Sequence, residues 1–492
     1  MAGSLLGMVA SSALAWTVSS GGLPAAAEAA EPAPVATKTW VDPAGAETIS
    51  PAAVTAKTSF EAEGTLRMSG RIGHPVVPTL RPDETFVFVD LAAERDRFGH
   101  SVTPANVTIV LDRSGSMRGS RMDTALAAAR GMVARLRDSD TVSVVAYDQD
   151  AQLVVAPTTL GASRRASVLA ALSTVRARGN TCVSCGVAQA LALAPRGEEA
   201  VHRILLLSDG KANRGGRTMS EFSGITRQAL QTQSAVTSIG VGVDYDERLL
   251  ASLSRSTNGS HHFVERLDQL APIFDQELEA VSQTVAAGTT VEVALAPGVE
   301  VLEVMDRQSS RDGNRLVVPF GAFTAGEDKT LLLRVRLPAR DAGVHSVGDV
   351  TLRYTDAATG RRERADGQLE VMVGEAKTDL DPTVEARVAQ SETIRDIEAV
   401  NELIAAGRDD AARQRIRRSR ARVKKRKKSA ASRGLLPSAP ASASFDAQDE
   451  ALGFAERNAE ETRQAQRRGD AAAPKVRKAA GKRNAALASP FN

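Results

Sequence analysis

Leu111-Asp112-Arg113-Ser114-Gly115-Ser116-Met117 places one carboxylate and two hydroxyls within five residues, directly after the apolar run Val107-Thr-Ile-Val-Leu111. Three oxygens on one tight loop suit a small, hard cation that takes oxygen ligands in octahedral geometry. Gly115, between the serines, is expected to permit a sharp backbone path. Two more segments offer donors of the same kind. Gly179-Asn180-Thr181 supplies a third hydroxyl just ahead of a helical stretch, and Arg203-Ile-Leu-Leu-Leu-Ser208 runs straight into Asp209-Gly210. A lone D-x-S-x-S is ordinary turn and helix-cap material. Its weight here comes from Thr181 and Asp209 following in order, each at the end of its own element.

Those elements must bring the three loops together. Val107 to Leu111 is apolar without interruption, as a strand buried on both faces would be. Ser120 to Leu136 has helical spacing, with Met122, Ala125, Leu126, Ala129, Met132 and Val133 on one side. Strands then follow at Val142 to Tyr147, Arg203 to Ser208, Val236 to Val241 and His261 to Val264. Helices are expected at Ser163 to Leu172, Gly186 to Leu193, Ser220 to Gln231, Asp246 to Ser254 and Leu267 to Val281. This alternation predicts an α/β fold, a mostly parallel central sheet with helices on both faces. Such sheets bind ligands at the carboxyl ends of their strands, where the loops carrying Asp112, Thr181 and Asp209 would lie side by side.

The full set, D-x-S-x-S, then Thr181, then Asp209-Gly210, resembles the metal-ion-dependent adhesion site of von Willebrand A and integrin inserted domains. The resemblance covers about residues 104–285 and implies a Rossmann-like vWA domain. It implies that Ser114 and Ser116 ligate a metal through their hydroxyls and that Asp112 and Asp209 bind it directly or through water. Thr181 would join or leave the shell with conformational state. The implied ion is Mg²⁺, with Mn²⁺ and Ca²⁺ as alternatives. With only two formal negatives facing it, a divalent cation stays electrophilic and keeps a position open for an Asp or Glu of a partner protein. That chemistry is binding, not catalysis. Accordingly, G-x-x-x-x-G-K-[ST], G-x-S-x-G and H-E-x-x-H are absent from the sequence.

The flanks read differently. Two or three strands are expected within residues 58–103, Thr85 to Leu91 being the clearest. From Gly288 to Val373 short strands alternate with turns, which suggests a β-sandwich over residues 286–375, with the α/β domain inserted by sequence in it. Residues 381–430 are expected to form one long helix with Pro382 in its first turn and a basic end, and residues 431–492 to be mostly disordered, with a transient helix around Asp446 to Arg467. Leu5 to Val18 followed by Ala25-Ala26-Ala27 reads as a signal peptide within residues 1–30, ahead of a Pro- and Ala-rich linker over residues 31–57. The expected address is the periplasm, cell envelope or extracellular space, although Lys38 is the first basic residue.

Composition narrows the partners. Of 492 residues 42% are hydrophobic and 25% charged, ordinary for a globular chain, and the net charge is +3. Eleven basic residues and no acids lie between Arg413 and Lys428, so the remainder sums to −8. That run could meet an acidic polymer or anionic lipid; nucleic acid is unlikely for an exported chain. Cys182 and Cys185 follow Thr181 as CxxC, readable as a local disulfide or as a redox pair. His261-His262, adjacent on a strand, point to opposite faces and cannot chelate together. The functional expectation is a metal-dependent adhesion or complex-assembly protein; alternatives are a thiol-redox protein using Cys182 and Cys185, or a chaperone-like assembly factor.

Overall fold

In sequence order, the chain builds part of one module, leaves it to complete a second, then returns. The computed structural model describes residues 56–95, 104–194, 202–434 and 440–488. The expected signal peptide and nearly all of the linker lie outside them. The first strands are β1 (Ser59–Ala62), β2 (Leu66–Ile72), β3 (Val76–Pro78) and β4 (Asp83–Ala93).

The α/β domain then runs β5 (Asn106–Asp112), α1 (Ser120–Arg135), β6 (Thr141–Tyr147), β7 (Ala151–Thr159), α2 (Ala162–Leu172), α3 (Val183–Ala192), β8 (His202–Ser208), α4 (Ser223–Gln231), β9 (Ser234–Val241), α5 (Glu247–Ser256), β10 (His261–Val264) and α6 (Leu270–Ser282). Its sheet has the order β10-β9-β8-β5-β6-β7, parallel except for β6 against β7. The alternation of side chains along a strand explains the layering. Val107, Ile109 and Leu111 of β5 face a core completed by α1, α2 and α6, whereas Val110 faces a second core built with α3, α4 and α5. Full burial of each such side chain contributes about 1.5–3 kcal/mol. The antiparallel β7 was not expected from the sequence. Its side chains are mostly exposed or half-buried, and Pro157 lies within it, so neither an apolar run nor clean alternation marks it.

Beyond α6 come β11 (Thr284–Leu295), β12 (Glu300–Met305), β13 (Ser310–Asp312), β14 (Arg315–Thr324), β15 (Asp328–Leu337), β16 (Gly343–Asp356) and β17 (Arg362–Gly374). They join the first four strands in two sheets, β1-β2-β4-β15-β12 and β13-β14-β11-β16-β17-β3. One buried cluster, with Leu66, Met68, Val89, Val291, Phe320, Leu333 and Leu352 among its members, takes side chains from both. Strands from before and after the α/β domain are therefore paired in register, Asp83 to Ala92 on β4 against Leu337 to Asp328 on β15.

The carboxyl-terminal expectations need correction. The long helix is two: α7 (Pro382–Ala405) and α8 (Asp409–Ser432). Gly407, at φ 71°, ends the first. Its amide bonds to Ile404 O at 2.9 Å and that of Arg408 to Leu403 O at 2.8 Å, the paired closure of a glycine-capped helix end. Residues 440–488, expected to be mostly disordered, form α9 (Pro440–Arg467) and α10 (Ala473–Ala488). Phe445, Leu452 and alanines of α9 bury against Ile397, Val400, Ile404, Ile416 and Val423 of α7 and α8. The basic run of α8 is spent largely on this bundle. Arg415 and Arg422 meet Asp396, Arg417 and Arg420 meet Glu456, and Arg426 meets Glu392. Among the described residues, no helix is long and apolar enough to cross a membrane.

Candidate metal centre at the carboxyl edge of the parallel sheet

β5 and β8 are neighbours, so Asp112, the last residue of β5, and Asp209, directly after β8, reach the same edge. Asp112 is fully buried. Its carboxylate accepts from the Ser114 amide at 2.8 Å, from Ser208 Oγ at 3.0 Å and from the Tyr147 hydroxyl at 3.3 Å. Burial pushes this carboxyl up to about 6; the Ser114 hydrogen bonds pull it back, and the nearby Asp209 charge raises it further.

The two serine hydroxyls are 3.0 Å apart, and Ser116 Oγ donates to Asp209 Oδ1 at 2.6 Å. The other carboxylate oxygen of Asp209 accepts from Arg121 Nη1 at 2.6 Å. A methyl group built on Gly210 would lie 3.5 Å from Ser116 Oγ and 3.6 Å from Thr181 Oγ1, so these hydroxyls approach one point. Asp112, Ser114, Ser116, Thr181 and Asp209 are thus gathered in one place. Gly115 lies in a tight turn, in which the Met117 amide donates to Ser114 O at 3.0 Å, without needing a left-handed φ. Gly179 is left-handed, at φ 72°, and its carbonyl accepts the Gly115 amide at 3.1 Å and ties the two loops together.

Several supporting residues escaped the sequence reading. Asn213 Oδ1 accepts the Thr181 amide at 2.9 Å, and the amides of Asn213 and Arg214 return bonds to Thr181 O at 3.0 and 3.2 Å. Asp148, buried just past β6, forms an ion pair with Arg113, accepts from Arg178 Nε at 2.9 Å and takes the Cys182 amide on its carbonyl. Gly186 lets α3 approach the Tyr147 ring, for a Cβ there would lie 2.7 Å from it. Only Ser208, directly before Asp209, carried a signal in its position. The sulfurs of Cys182 and Cys185 lie 1.95 Å apart, within bonding distance, at the start of α3. His261 and His262 lie on the edge strand β10: His261 meets Ser238 Oγ at 2.7 Å, and His262 meets Glu277 at 3.0 Å.

The donor set fits a hard divalent cation. Among the described residues no group of three or more His, Cys, Asp or Glu side chains gathers to hold a metal. Here hydroxyls dominate instead, with two carboxylates, and Asp112 is surrounded by neutral donors that leave its buried charge without a cationic partner.

The family model of the von Willebrand factor type A domain matches residues 106–276. This chain carries a von Willebrand factor type A domain. Beyond the vWA domain the similarities extend into the flanks. An uncharacterized protein of Synechocystis sp. is 26% identical over 299 residues, 58% of this chain and 70% of that protein. Mouse inter-alpha-trypsin inhibitor heavy chain H2 is 26% identical over 168 residues, 32% of this chain but only 17% of its own length. Among solved structures, a von Willebrand factor type A protein from Catenulispora acidiphila superposes with a TM-score of 0.64 at 18% identity, covering 80% of this chain and 89% of that one. The ArnB paralog VWA2 from Sulfolobus acidocaldarius gives 0.57 at 16% identity, over 87% and 99%. At such identities the likeness is one of fold.

Proposed function

We propose that the vWA domain binds a partner protein in a divalent-metal-dependent manner, and that it serves adhesion or complex assembly rather than catalysis. The observation that carries the reading is the meeting of Ser114, Ser116, Thr181, Asp112 and Asp209 oxygens from three loops at one edge of the sheet. The metal, Mg²⁺ foremost with Mn²⁺ or Ca²⁺ as alternatives, supplies attraction for a carboxylate oxygen of the partner.

The chain's own residues do the rest. Ser114 and Ser116 offer neutral oxygens, so the bound ion keeps most of its charge. Asp112, held by Ser208, Tyr147 and the Ser114 amide, orients the loop from below. Thr181, fixed through its backbone to the Asn213 loop, keeps its hydroxyl free to enter or leave the shell. Export to the cell envelope belongs to the same proposal, on the strength of Leu5 to Val18 and the alanines after it.

Cys182 and Cys185 serve this reading as a disulfide that stiffens the start of α3 beside Thr181. Cys182 is 1% exposed, so half-buried Cys185 alone offers a sulfur to the thiol exchange a redox protein needs. The acids of α7 and α9 already engage much of the basic run of α8, which weakens the case for an acidic polymer or lipid there. The test is an affinity pull-down in Mg²⁺ against chelator with wild type and Asp112→Ala. The reading expects proteins retained by wild type in Mg²⁺ alone; equal retention in chelator, or by Asp112→Ala, contradicts it.

A further inference from the structure

The loops that carry the metal donors also carry an unusual charge. Apart from the donors Asp112 and Asp209 that precede two of them, residues 113–121, 173–181 and 210–217 hold eight arginines and lysines and no acid. Five of the eight are already engaged. Arg113 and Arg178 share buried Asp148, and Arg121 holds Asp209. Arg176 and Arg217 donate to backbone carbonyls of their own segments.

The remaining three, Arg118, Lys211 and Arg214, are exposed, and among the described residues none has a side-chain hydrogen bond or ion pair. Each belongs to the donor loops. Arg118 is two residues past Ser116, and Lys211 two past Asp209, while the Arg214 amide bonds to Thr181 O. From Arg118 a groove of about 550 Å³ runs between α1 and residues 173–177, and Arg130, Arg176 and one acid, Asp123, also line it. Adjoining segments do bring acids. Asp244 is held by Lys478 at 3.0 Å, and exposed Glu221 accepts from the Arg217 and Thr218 amides, which leaves exposed Asp123 and Asp150 against the basic surplus.

We propose that this rim selects an acidic segment of the partner protein, one carboxylate going to the metal and its neighbours to Arg118, Lys211 and Arg214. The inference rests on the metal-dependent reading above and names the partner chemistry that the reading leaves open. Charge complementarity is what commits the surface to such an occupant. Cations with no partner inside the molecule have no internal work to lose on binding, and they steer an acidic chain toward the site before contact. A segment with a single carboxylate would use the metal and leave these three groups solvated.

The test uses the full chain and two fluorescein-labelled, terminally blocked peptides, Gly-Asp-Glu-Asp-Glu-Gly and the single-carboxylate Gly-Asn-Glu-Asn-Gln-Gly, with affinity read by anisotropy. The acidic peptide should bind about tenfold tighter or more in Mg²⁺, and that margin should shrink with added salt. In Arg118→Glu/Lys211→Glu/Arg214→Glu the margin should vanish while Mg²⁺, measured by calorimetry, is bound at least as tightly as by wild type. If reversal disturbs the metal loops, the Arg118→Gln/Lys211→Gln/Arg214→Gln variant decides in the same way. Equal affinities in wild type, a margin that survives the substitutions, or no binding of the acidic peptide overturns the proposal. Failure of the metal reading looks different: Mg²⁺ is not bound, yet the acidic margin persists in chelator.

Discussion

The two ends of the vWA sheet are built from the same residue types and end in opposite conditions. At the amino end a line of side chains crosses four strands. Ser143 Oγ meets Thr108 Oγ1 at 2.8 Å, Thr108 meets His202 Nε2 at 2.9 Å, and His202 Nδ1 meets Ser234 Oγ at 2.7 Å. Asp140 completes that end by accepting the amides of Ala105 and Arg137. At the carboxyl end, Ser114, Ser116 and Thr181 gather around two carboxylates, and Ser116 stays exposed. Buried polar groups are tolerated where every one finds a partner. One end is closed by that rule; at the other the hydroxyls and carboxylates meet where Ser116 reaches the surface.

Breaking the open end should have the largest effect. Asp112→Ala removes one of two formal negatives, and Mg²⁺ affinity should fall on the order of a thousandfold, since even supporting residues around metal ligands cost 10–100-fold. The readout is loss of the Mg²⁺-induced rise in Tm, with far-UV circular dichroism unchanged.

The closed end responds to protons instead. Burial lowers the His202 imidazole to about 4, so it stays neutral in the fold and protonates near 6.5 when unfolded. The unfolded chain therefore binds the extra proton between pH 6.5 and 4, and the fold loses stability as pH falls through that window. Compared with His202→Gln, which has no such proton, the wild type's advantage should narrow by up to about 3 kcal/mol from pH 7 to pH 4. Urea denaturation at several pH values measures it, and a difference independent of pH would show that His202 is not held neutral.

Two smaller changes sharpen the contrast. Arg121 occupies one oxygen of Asp209 and repels any arriving cation, so Arg121→Ala should tighten Mg²⁺ binding roughly three- to tenfold by calorimetry. Reduction of Cys182 and Cys185 should loosen the Thr181 loop and weaken Mg²⁺ about two- to threefold. Identical isotherms with and without reductant would remove that role.

The open end was the more legible of the two. Asp112, Ser114 and Ser116 follow an apolar strand at fixed spacing, and Asp209 ends another, so local pattern alone proposes their convergence. Tyr147, Arg121 and Asn213 act only through convergence, and nothing in their own neighbourhoods marks them. The closed end was invisible for the same reason, since Thr108, Ser143, His202 and Ser234 become one line only when β6, β5, β8 and β9 are laid side by side. In sequence α9 shows only as a transient helix around Asp446 to Arg467 and α10 not at all, because alanine dominates what they bury and their charge suggests solvation. Packing of small side chains, with Arg420 bridging Asp449 and Glu456, supplies what that reading undervalued. Gly407 could have been read as a helix stop; the apolar stripe before it drew the helix too far.

The central claim is that hydroxyls and carboxylates from three loops hold one divalent ion at the open end. Crystals soaked in Mn²⁺ test it directly through anomalous scattering. The account predicts one strong peak at coordination distance from Ser114 Oγ and Ser116 Oγ, with Asp209 or its water beside it and no such peak in Asp112→Ala. A peak at another site, or none at saturating Mn²⁺, would contradict it.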